Sequence, residues 1–190
     1  SYYSHTLLGV QADMKVLRNL VSTLMPELDE KFRQHDIELS LVCINWFLTI
    51  FSNVFHMKIL LRVWDLFFYE GSSILFQLTL AMFKMSEDRI LKADSSSSIF
   101  SILSDLPSEI CDMDRLIEFS IRIASSVTKS SLDTQRSKHR AYLMVQQGNN
   151  SIDLVSNDGN SANNKEKPFL MRIMNSDYNS SSDHTNKFDL

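Results

Sequence analysis

The 190-residue chain contains 44% hydrophobic residues and carries a formal net charge of −4. Glycine (4) and proline (3) are scarce while long aliphatic residues are abundant, so the composition favours an all-α fold over sheets. No basic block exists, which argues against nucleic acid as a partner. The histidines are not at metal-ligand spacings, and Cys43 and Cys111 lie in apolar contexts that predict reduced, buried thiols.

The first predicted helix follows a lead-in of polar and aromatic residues at positions 1–10. Asp13 is placed to cap it, because a carboxylate accepts hydrogen bonds from the free N–H groups of a first turn. Pro26 ends this helix or opens the next, a short polar helix over residues 27–35. The core-facing residues of the first helix recur at helical spacing: Val16, Leu17, Leu20, Val21 and Leu24.

The most apolar stretch of the chain, Leu39–Gly71, comes next. Ser40 can cap a third helix that is apolar nearly all round through Phe51, a pattern typical of a helix buried on all sides or lying in lipid. A fourth helix is predicted over residues 57–69. Gly71 suits its end, because glycine tolerates positive φ.

A membrane span is one interpretation of residues 39–57, which carry no charge and approach the roughly 20 residues that cross a bilayer. Asn53 and His56 count against it, since each would lie in or beside hydrocarbon at a cost. No Lys or Arg cluster marks a cytoplasmic flank. The core of a helical domain explains the pattern without these costs, so the sequence predicts no transmembrane segment.

Further helices are predicted after Gly71, the first over residues 73–92. The serines at 95–98 cap a short helix that Pro107 breaks, and Asp112 opens another helix that runs to about Val127. A last amphipathic helix covers residues 132–147, with a basic face made of Arg136, Lys138, His139 and Arg140.

Beyond Gly148 the composition changes, because Asn and Ser dominate through Leu190. Such a segment buries too little surface to offset its ordering entropy, so residues 148–190 are predicted to be disordered. One apolar island, Phe169–Met174, either docks as a short helix or has no structural role.

Two blocks in the apolar stretch resemble a known family. Residues 45–51 read NWFLTIF and residues 61–71 read LRVWDLFFYEG. In this order and at this spacing they resemble the signature of TBC domains, the GTPase-activating domains for Rab proteins. Residues 7–13 (LLGVQAD), 98–110 (SIFSILSDLPSEI) and 134–143 (TQRSKHRAYL) resemble the small G protein signalling modulator branch, in particular its member with RUN and SH3 domains.

The resemblance covers about residues 2–148 and implies the C-terminal half of a TBC domain. Residues 1–92 would be its C-terminal part, residues 93–147 a helical extension packed on it, and residues 148–190 the tail. One departure is His56, where many TBC domains have a proline. The residues that would carry the structural signature are Trp46, Phe47, Arg62, Trp64, Asp65 and Gly71.

TBC domains are expected to act with an arginine from an IxxDxxR motif and a glutamine from a YxQG motif, supplied in trans to the GTPase. Neither motif occurs in this sequence, and both are expected upstream of Ser1. Arg115 follows Asp112 at the right spacing, but Glu109 replaces the required isoleucine. Gln147 has Val145 where the tyrosine belongs. The chain is therefore predicted to contain no catalytic residue and to be inactive alone.

The function implied is that of an activator of Rab-type small GTPases in membrane traffic, not an enzyme in its own right. It would need no cofactor, because GTP and Mg²⁺ belong to the partner GTPase. Its location would be cytoplasmic, with peripheral association with endomembranes through that GTPase. The alternative is a catalytically silent TBC-like scaffold that binds a small GTPase or another protein. A helical-repeat adaptor is weakened by the absence of any internal period.

The residues of the signature also have a physical interpretation of their own. Arg62 and Asp65 are three positions apart on a helix and can pair. Trp64 points elsewhere on that helix and can face the core. Asn45, in an otherwise apolar helix, needs hydrogen-bond partners if it is buried and would then tie the helix to a neighbouring backbone.

Overall fold

The computed structural model describes residues 7–153, with side chains for residues 7–146. This part contains nine helices and no strand, so the predicted all-α class is confirmed. Contacts divide the chain into Ser1–Asn150 and Ser151–Leu190, and the packing below is that of the first unit. The helices are α1 (Leu8–Leu24), α2 (Pro26–Gln34), α3 (Ser40–Leu48), α4 (Met57–Glu70), α5 (Ser73–Met85), α6 (Glu87–Leu91), α7 (Ser96–Glu109), α8 (Met113–Ala124) and α9 (Lys129–Asp153).

Helix α5 is the centre of the fold. Its residues from Ser73 to Phe83 are all buried, α8 packs along it, and α4, α6 and α7 also contact it. Its buried polar groups have partners: Thr79 Oγ1 donates to the Leu75 carbonyl at 2.8 Å, and Gln77 Nε2 donates to the Val127 carbonyl at 3.3 Å. Because an unpaired buried polar group costs about 1–3 kcal/mol, these bonds allow α5 to be buried on all sides.

The apolar stretch Leu39–Gly71 flanks this centre and does not form it. Helix α3 exposes Leu41 and Asn45, and α4 exposes Leu61 and Phe68. The prediction that α3 is buried on all sides is therefore wrong. Among the described residues, no helix has the length and apolar character needed to cross a membrane.

Some predicted helix ends are confirmed. Pro26 occupies the first position of α2, where its missing N–H costs nothing. The Ser95 hydroxyl accepts a hydrogen bond from the Ser98 amide at the start of α7. The Asp112 carboxylate caps α8 by accepting from the Arg115 amide at 3.0 Å.

Other predicted ends are wrong. Helix α1 begins at Leu8, so Asp13 lies inside it and cannot cap it. The Ser40 side chain makes no capping bond to α3. The predicted helix over residues 73–92 breaks at Ser86 into α5 and α6. Helix α7 continues through Pro107 and ends two residues later at Glu109, so the predicted break at Pro107 is wrong.

Helix α9 passes Gly148, where the tail is predicted to begin, and ends at Asp153. The remainder of the predicted tail, residues 154–190, lies outside the described residues. The apolar island Phe169–Met174 lies outside them as well.

A buried ion pair joins α1 to α9. Arg136 donates from Nε to Asp13 Oδ1 at 2.6 Å and from a terminal nitrogen to Oδ2 at 3.2 Å. Its other terminal nitrogen donates to Ser72 Oγ at 3.0 Å, and the guanidinium lies 5.2 Å from the centre of the Phe76 ring. The Asp13 side chain is 1% exposed and that of Arg136 13%. Arg136 therefore faces the core, which corrects its place on the predicted basic face.

Replacing Arg136 with methionine should destabilise the chain by about 3 kcal/mol, because it leaves the Asp13 carboxylate buried without its partner. The free energy of unfolding in urea measures this. The double variant Asp13→Leu/Arg136→Met should lose less than the single one. Arg122→Met, which breaks an exposed pair with Glu118, is the control and should cost under about 0.5 kcal/mol. An equally small loss for Arg136→Met would contradict this account.

A second link between α1 and α9 involves a titratable ring. Asn19 Nδ2 lies 3.0 Å from His139 Nε2, so a neutral imidazole with its proton on Nδ1 accepts a hydrogen bond from the amide. Desolvation by partial burial, together with the positive charge of Lys15, lowers the pKa of His139 below its ordinary value of 6.5. The folded protein therefore favours the neutral ring.

Acidification should weaken the fold through His139. Because the folded-state pKa lies below the unfolded one, the unfolded chain binds more protons, and stability falls as the pH drops below about 6.5. Unfolding free energies measured at pH 7.5 and 5.5 should show a smaller loss for His139→Gln than for the unmodified chain. Equal losses in both would refute the assignment.

Candidate functional site

The first signature block anchors α3 to the central helix. Trp46 and Phe47 are 2% and 1% exposed. The Phe47 ring meets the Phe76 ring edge-on, with centroids 4.9 Å apart, and the centroid of Trp46 lies 6.4 Å from that of Phe83. Both partners belong to α5. Aromatic pairs of this kind contribute about 0.5–1.5 kcal/mol beyond their buried area, so this block fixes the position of α3.

The turn after α3 contains two left-handed residues, Ile50 and Phe51, whose types rarely adopt this conformation. The Phe51 amide donates to the Trp46 carbonyl at 2.8 Å and the Ile50 amide to the Phe47 carbonyl at 3.4 Å, as in a Schellman motif. Ile50 and Phe51 have φ values of 49° and 59°. A left-handed residue other than glycine costs about 1–2 kcal/mol, and burial of the Phe51 ring offsets this. The helix predicted through Phe51 therefore ends at Leu48.

Trp64 joins the second signature block to this turn. Its indole Nε1 donates to the Ile50 carbonyl at 3.0 Å, and its ring is half-buried against the core. Neighbouring Val63 is fully buried. The Trp64 side chain thus holds the two blocks together through a hydrogen bond to the backbone of the first block. Trp64 faces the core, as the sequence predicts.

The polar residues of the signature are placed differently from the sequence interpretation. Arg62 and Asp65 are both exposed, and in the described part of the chain they form no ion pair with each other. Asn45 is exposed too, so its side chain is not buried and does not tie α3 to another backbone. These three side chains lie on the solvent side of α3 and α4.

Gly71 ends α4 in a conformation that few other residues adopt. Its φ is 76° and its ψ −160°, a region that is essentially restricted to glycine. Its amide donates to the Phe67 carbonyl at 2.9 Å. Ser72, which follows, accepts the hydrogen bond from Arg136. The conformation of Gly71 therefore sets the direction in which the chain enters α5. It also places Ser72 beside Arg136.

Replacing Gly71 with alanine should lower the free energy of unfolding by about 1–3 kcal/mol. The reason is backbone strain alone, because an added Cβ would meet no atom within 4 Å. Denaturant unfolding of Gly71→Ala, with the exposed neighbour Glu70→Ala as control, measures it. A stability equal to that of the control would contradict the role given to Gly71.

Two arginines near the start of the fold are already paired. Arg18 Nε lies 3.1 Å from Oδ1 of the buried Asp29 as an ion pair without hydrogen-bond geometry, and Arg33 Nε donates to Oδ2 at 2.9 Å. Both arginines border a cavity of about 900 Å³ beside α1, α2 and α3. The Arg18–Asp29 pair ties α1 to α2, while the Arg33–Asp29 pair lies within α2.

The residues that mimic a catalytic motif have simpler roles. Asp112 is the cap of α8 and Arg115 is exposed on that helix, while the side chain of Gln147 lies outside the described residues. Within the described residues, no cluster of three or more His, Cys, Asp or Glu side chains could hold a metal ion.

The two cysteines differ in their surroundings. Burial raises the pKa of the Cys43 thiol far above its ordinary value, so Cys43 stays protonated in the core. Cys111 is exposed, which corrects the prediction that both thiols are buried.

Comparison with known proteins relates this chain to the TBC domains. Residues 1–91 match the family model of the Rab-GTPase-TBC domain. The chain is 52% identical over 148 residues to Small G protein signaling modulator 3 of Bos taurus and 51% identical to that of Homo sapiens. These matches confirm the resemblance to the small G protein signalling modulator branch. They cover 78% of this chain and 20% of each relative.

Two further matches place the chain more broadly. TBC1 domain family member 2A of Mus musculus is 38% identical over 142 residues, covering 75% of this chain and 15% of that protein. The solved Chlamydomonas flagellar RabGAP TBC domain superposes with a TM-score of 0.54 at 30% identity. That superposition covers 56% of this chain and 37% of the solved one. The chain therefore spans about a fifth of the length of its first-named relatives and matches 37% of the solved TBC domain.

Proposed function

We propose that this chain is part of a GTPase-activating protein for Rab-type small GTPases, and that it contributes the portion of the TBC domain without the catalytic motifs. The observation that carries the proposal is the pair of signature blocks, joined by the Trp64–Ile50 hydrogen bond and anchored on α5. The family match over residues 1–91 supports it. No IxxDxxR or YxQG motif occurs in the 190 residues.

Such a portion would contribute by holding the catalytic groups in position. An arginine finger acts by placing its charge against the transferred phosphoryl group, so its position must be held accurately by the surrounding helices. Helices α3 and α4 rest on α5, which is itself held by α8 and by the ion pair that α9 makes with α1. The chain would therefore support fingers carried elsewhere, while GTP and Mg²⁺ are bound by the GTPase.

A catalytically silent TBC-like scaffold is the second candidate. It would use the same fold but lack one or both fingers in the upstream part of the domain, and loss of the arginine or the glutamine there would favour it. In either case the protein would reach endomembranes peripherally, through the GTPase that it binds. The two candidates differ in one property, which is acceleration of GTP hydrolysis.

A GTP-turnover assay on a panel of Rab proteins separates the candidates. The chain alone should leave the intrinsic rate unchanged. Joined to the upstream part of human Small G protein signaling modulator 3, in place of the segment that it matches there, it should raise the rate by about 10³–10⁵-fold, the range for arginine fingers. Alanine in place of the upstream finger arginine is the control and should abolish the rise.

The remaining outcomes of this assay are also informative. Binding of a Rab by the joined protein without faster hydrolysis would favour the scaffold. Stimulation by the 190-residue chain alone would refute the proposal that it lacks the catalytic groups.

A further inference from the structure

A small cleft lies where the ends of α1, α5 and α8 meet. Its volume is about 230 Å³, and two cationic side chains line it, Lys84 of α5 and Arg122 of α8. The Ser126 side chain borders the same cleft, and the rest of the wall is apolar. One hydroxyl and two cations are therefore gathered at one place on the surface.

Ser126 is held in position and is open to solvent. It lies in the turn between α8 and α9, outside both helices, and it is exposed. Its amide donates to the Ile123 carbonyl at 2.9 Å. The next residue, Val127, is 1% exposed, and its carbonyl accepts from Gln77 of α5. Among the described residues the Ser126 hydroxyl makes no hydrogen bond, so its oxygen is available at the edge of the cleft.

The two cations have partners that a stronger anion can replace. Lys84 pairs with Glu87 and Arg122 with Glu118, and both pairs are accessible to solvent, where ion pairs contribute little to stability. The Arg122 guanidinium lies 5.4 Å from the centre of the Phe119 ring, which also lines the cleft. This contact keeps the guanidinium beside the cleft.

We propose that Ser126 is a phosphorylation site whose phosphate is bound by Lys84 and Arg122. In the reaction, Ser126 Oγ attacks the γ-phosphorus of ATP held by a protein kinase. The bond from that phosphorus to the β–γ bridging oxygen breaks, ADP leaves, and the hydroxyl proton passes to the catalytic aspartate of the kinase. This inference goes beyond the proposed function and does not depend on it.

The phosphate would connect α5 to α8. It carries a charge of about −1.5 to −2 and three acceptor oxygens, so each cation can donate charge-assisted hydrogen bonds to it. Without these cations the position is unfavourable, because Ser126 follows the C-terminal end of α8, where the helix dipole disfavours an anion. The phosphate should therefore stabilise the fold when Lys84 and Arg122 are present and destabilise it when they are not.

Phosphoserine encoded at position 126 of the 190-residue chain tests the site directly. Phosphoserine at position 125 is the matched control, since Ser125 is exposed in the same turn but does not line the cleft. Phosphorus NMR titration measures the second pKa of each phosphate, which is ordinarily about 6. Because nearby cations favour the dianion, the pKa of the phosphate at 126 should be the lower of the two. Lys84→Met/Arg122→Met should remove this difference.

Thermal unfolding of the same proteins gives a second measurement. The phosphate at 126 should raise the Tm by about 2–4 °C, whereas the phosphate at 125 should not raise it. In Lys84→Met/Arg122→Met the phosphate at 126 should lower the Tm instead. Both substituted side chains are exposed, so the double variant without phosphate should keep a Tm close to that of the unmodified chain.

The modification itself is tested in cells. The chain expressed in cultured human cells with phosphatases inhibited should carry phosphate on Ser126, which mass spectrometry of its peptides locates. Phosphate found only on other residues would overturn the inference. Equal pKa values for the phosphates at 126 and 125 would also overturn it, as would a Tm that does not rise or a rise that survives Lys84→Met/Arg122→Met.

Discussion

The buried pair of Asp13 and Arg136 connects the parts of this fold that are most distant in sequence, across 123 positions. A charge buried without its partner costs several kcal/mol, so the pair fixes the register of α9 against α1. Arg136 also reaches Ser72 and lies over Phe76, which connects α9 to the start of α5. One guanidinium therefore contacts α1, the start of α5 and α5 itself from α9.

The ion pair also links the family-matched residues 1–91 to a helix that lies beyond them. Residues 1–91 contain Asp13, Ser72 and most of the hydrophobic core, but Arg136 and α8 lie beyond them. Helix α8 packs along α5, and Leu116 and Val127 belong to the same core cluster. The segment after the family match thus supplies one wall of the domain. Part of the support for α5, on which α3 and α4 rest, therefore comes from outside the matched residues.

Much of this fold could be predicted from the sequence, and the exceptions have physical causes. Helical periodicity and the glycine at 71 were enough for most of the helices and for the end of α4, but not for the division between α5 and α6. The end of α3 was not predictable, because a left-handed Ile50 carries no glycine or asparagine signal and is held by tertiary contacts. The inward orientation of Arg136 could not be predicted either, since a basic residue is expected to be exposed unless its acidic partner is known.

The candidate site also contains some residues whose placement the sequence predicts and others whose placement it does not. The signature positions of Trp46, Phe47, Trp64 and Gly71 follow from burial and backbone geometry, which leave strong traces in sequence. The exposed apolar side chains of α4, such as Leu61 and Phe68, could not be distinguished from core residues, because an apolar side chain does not reveal whether its partner lies within the same fold.

Native-state hydrogen exchange on the 190-residue chain tests most directly the claim that the matched segment and the helices after it form one cooperative unit. The slowest amides of α1, α5, α8 and the part of α9 around Arg136 should exchange with a common free energy, and Arg136→Met should lower that value for all four together. Exchange of α8 and α9 with a much smaller free energy than α1 and α5, unaffected by Arg136→Met, would contradict it.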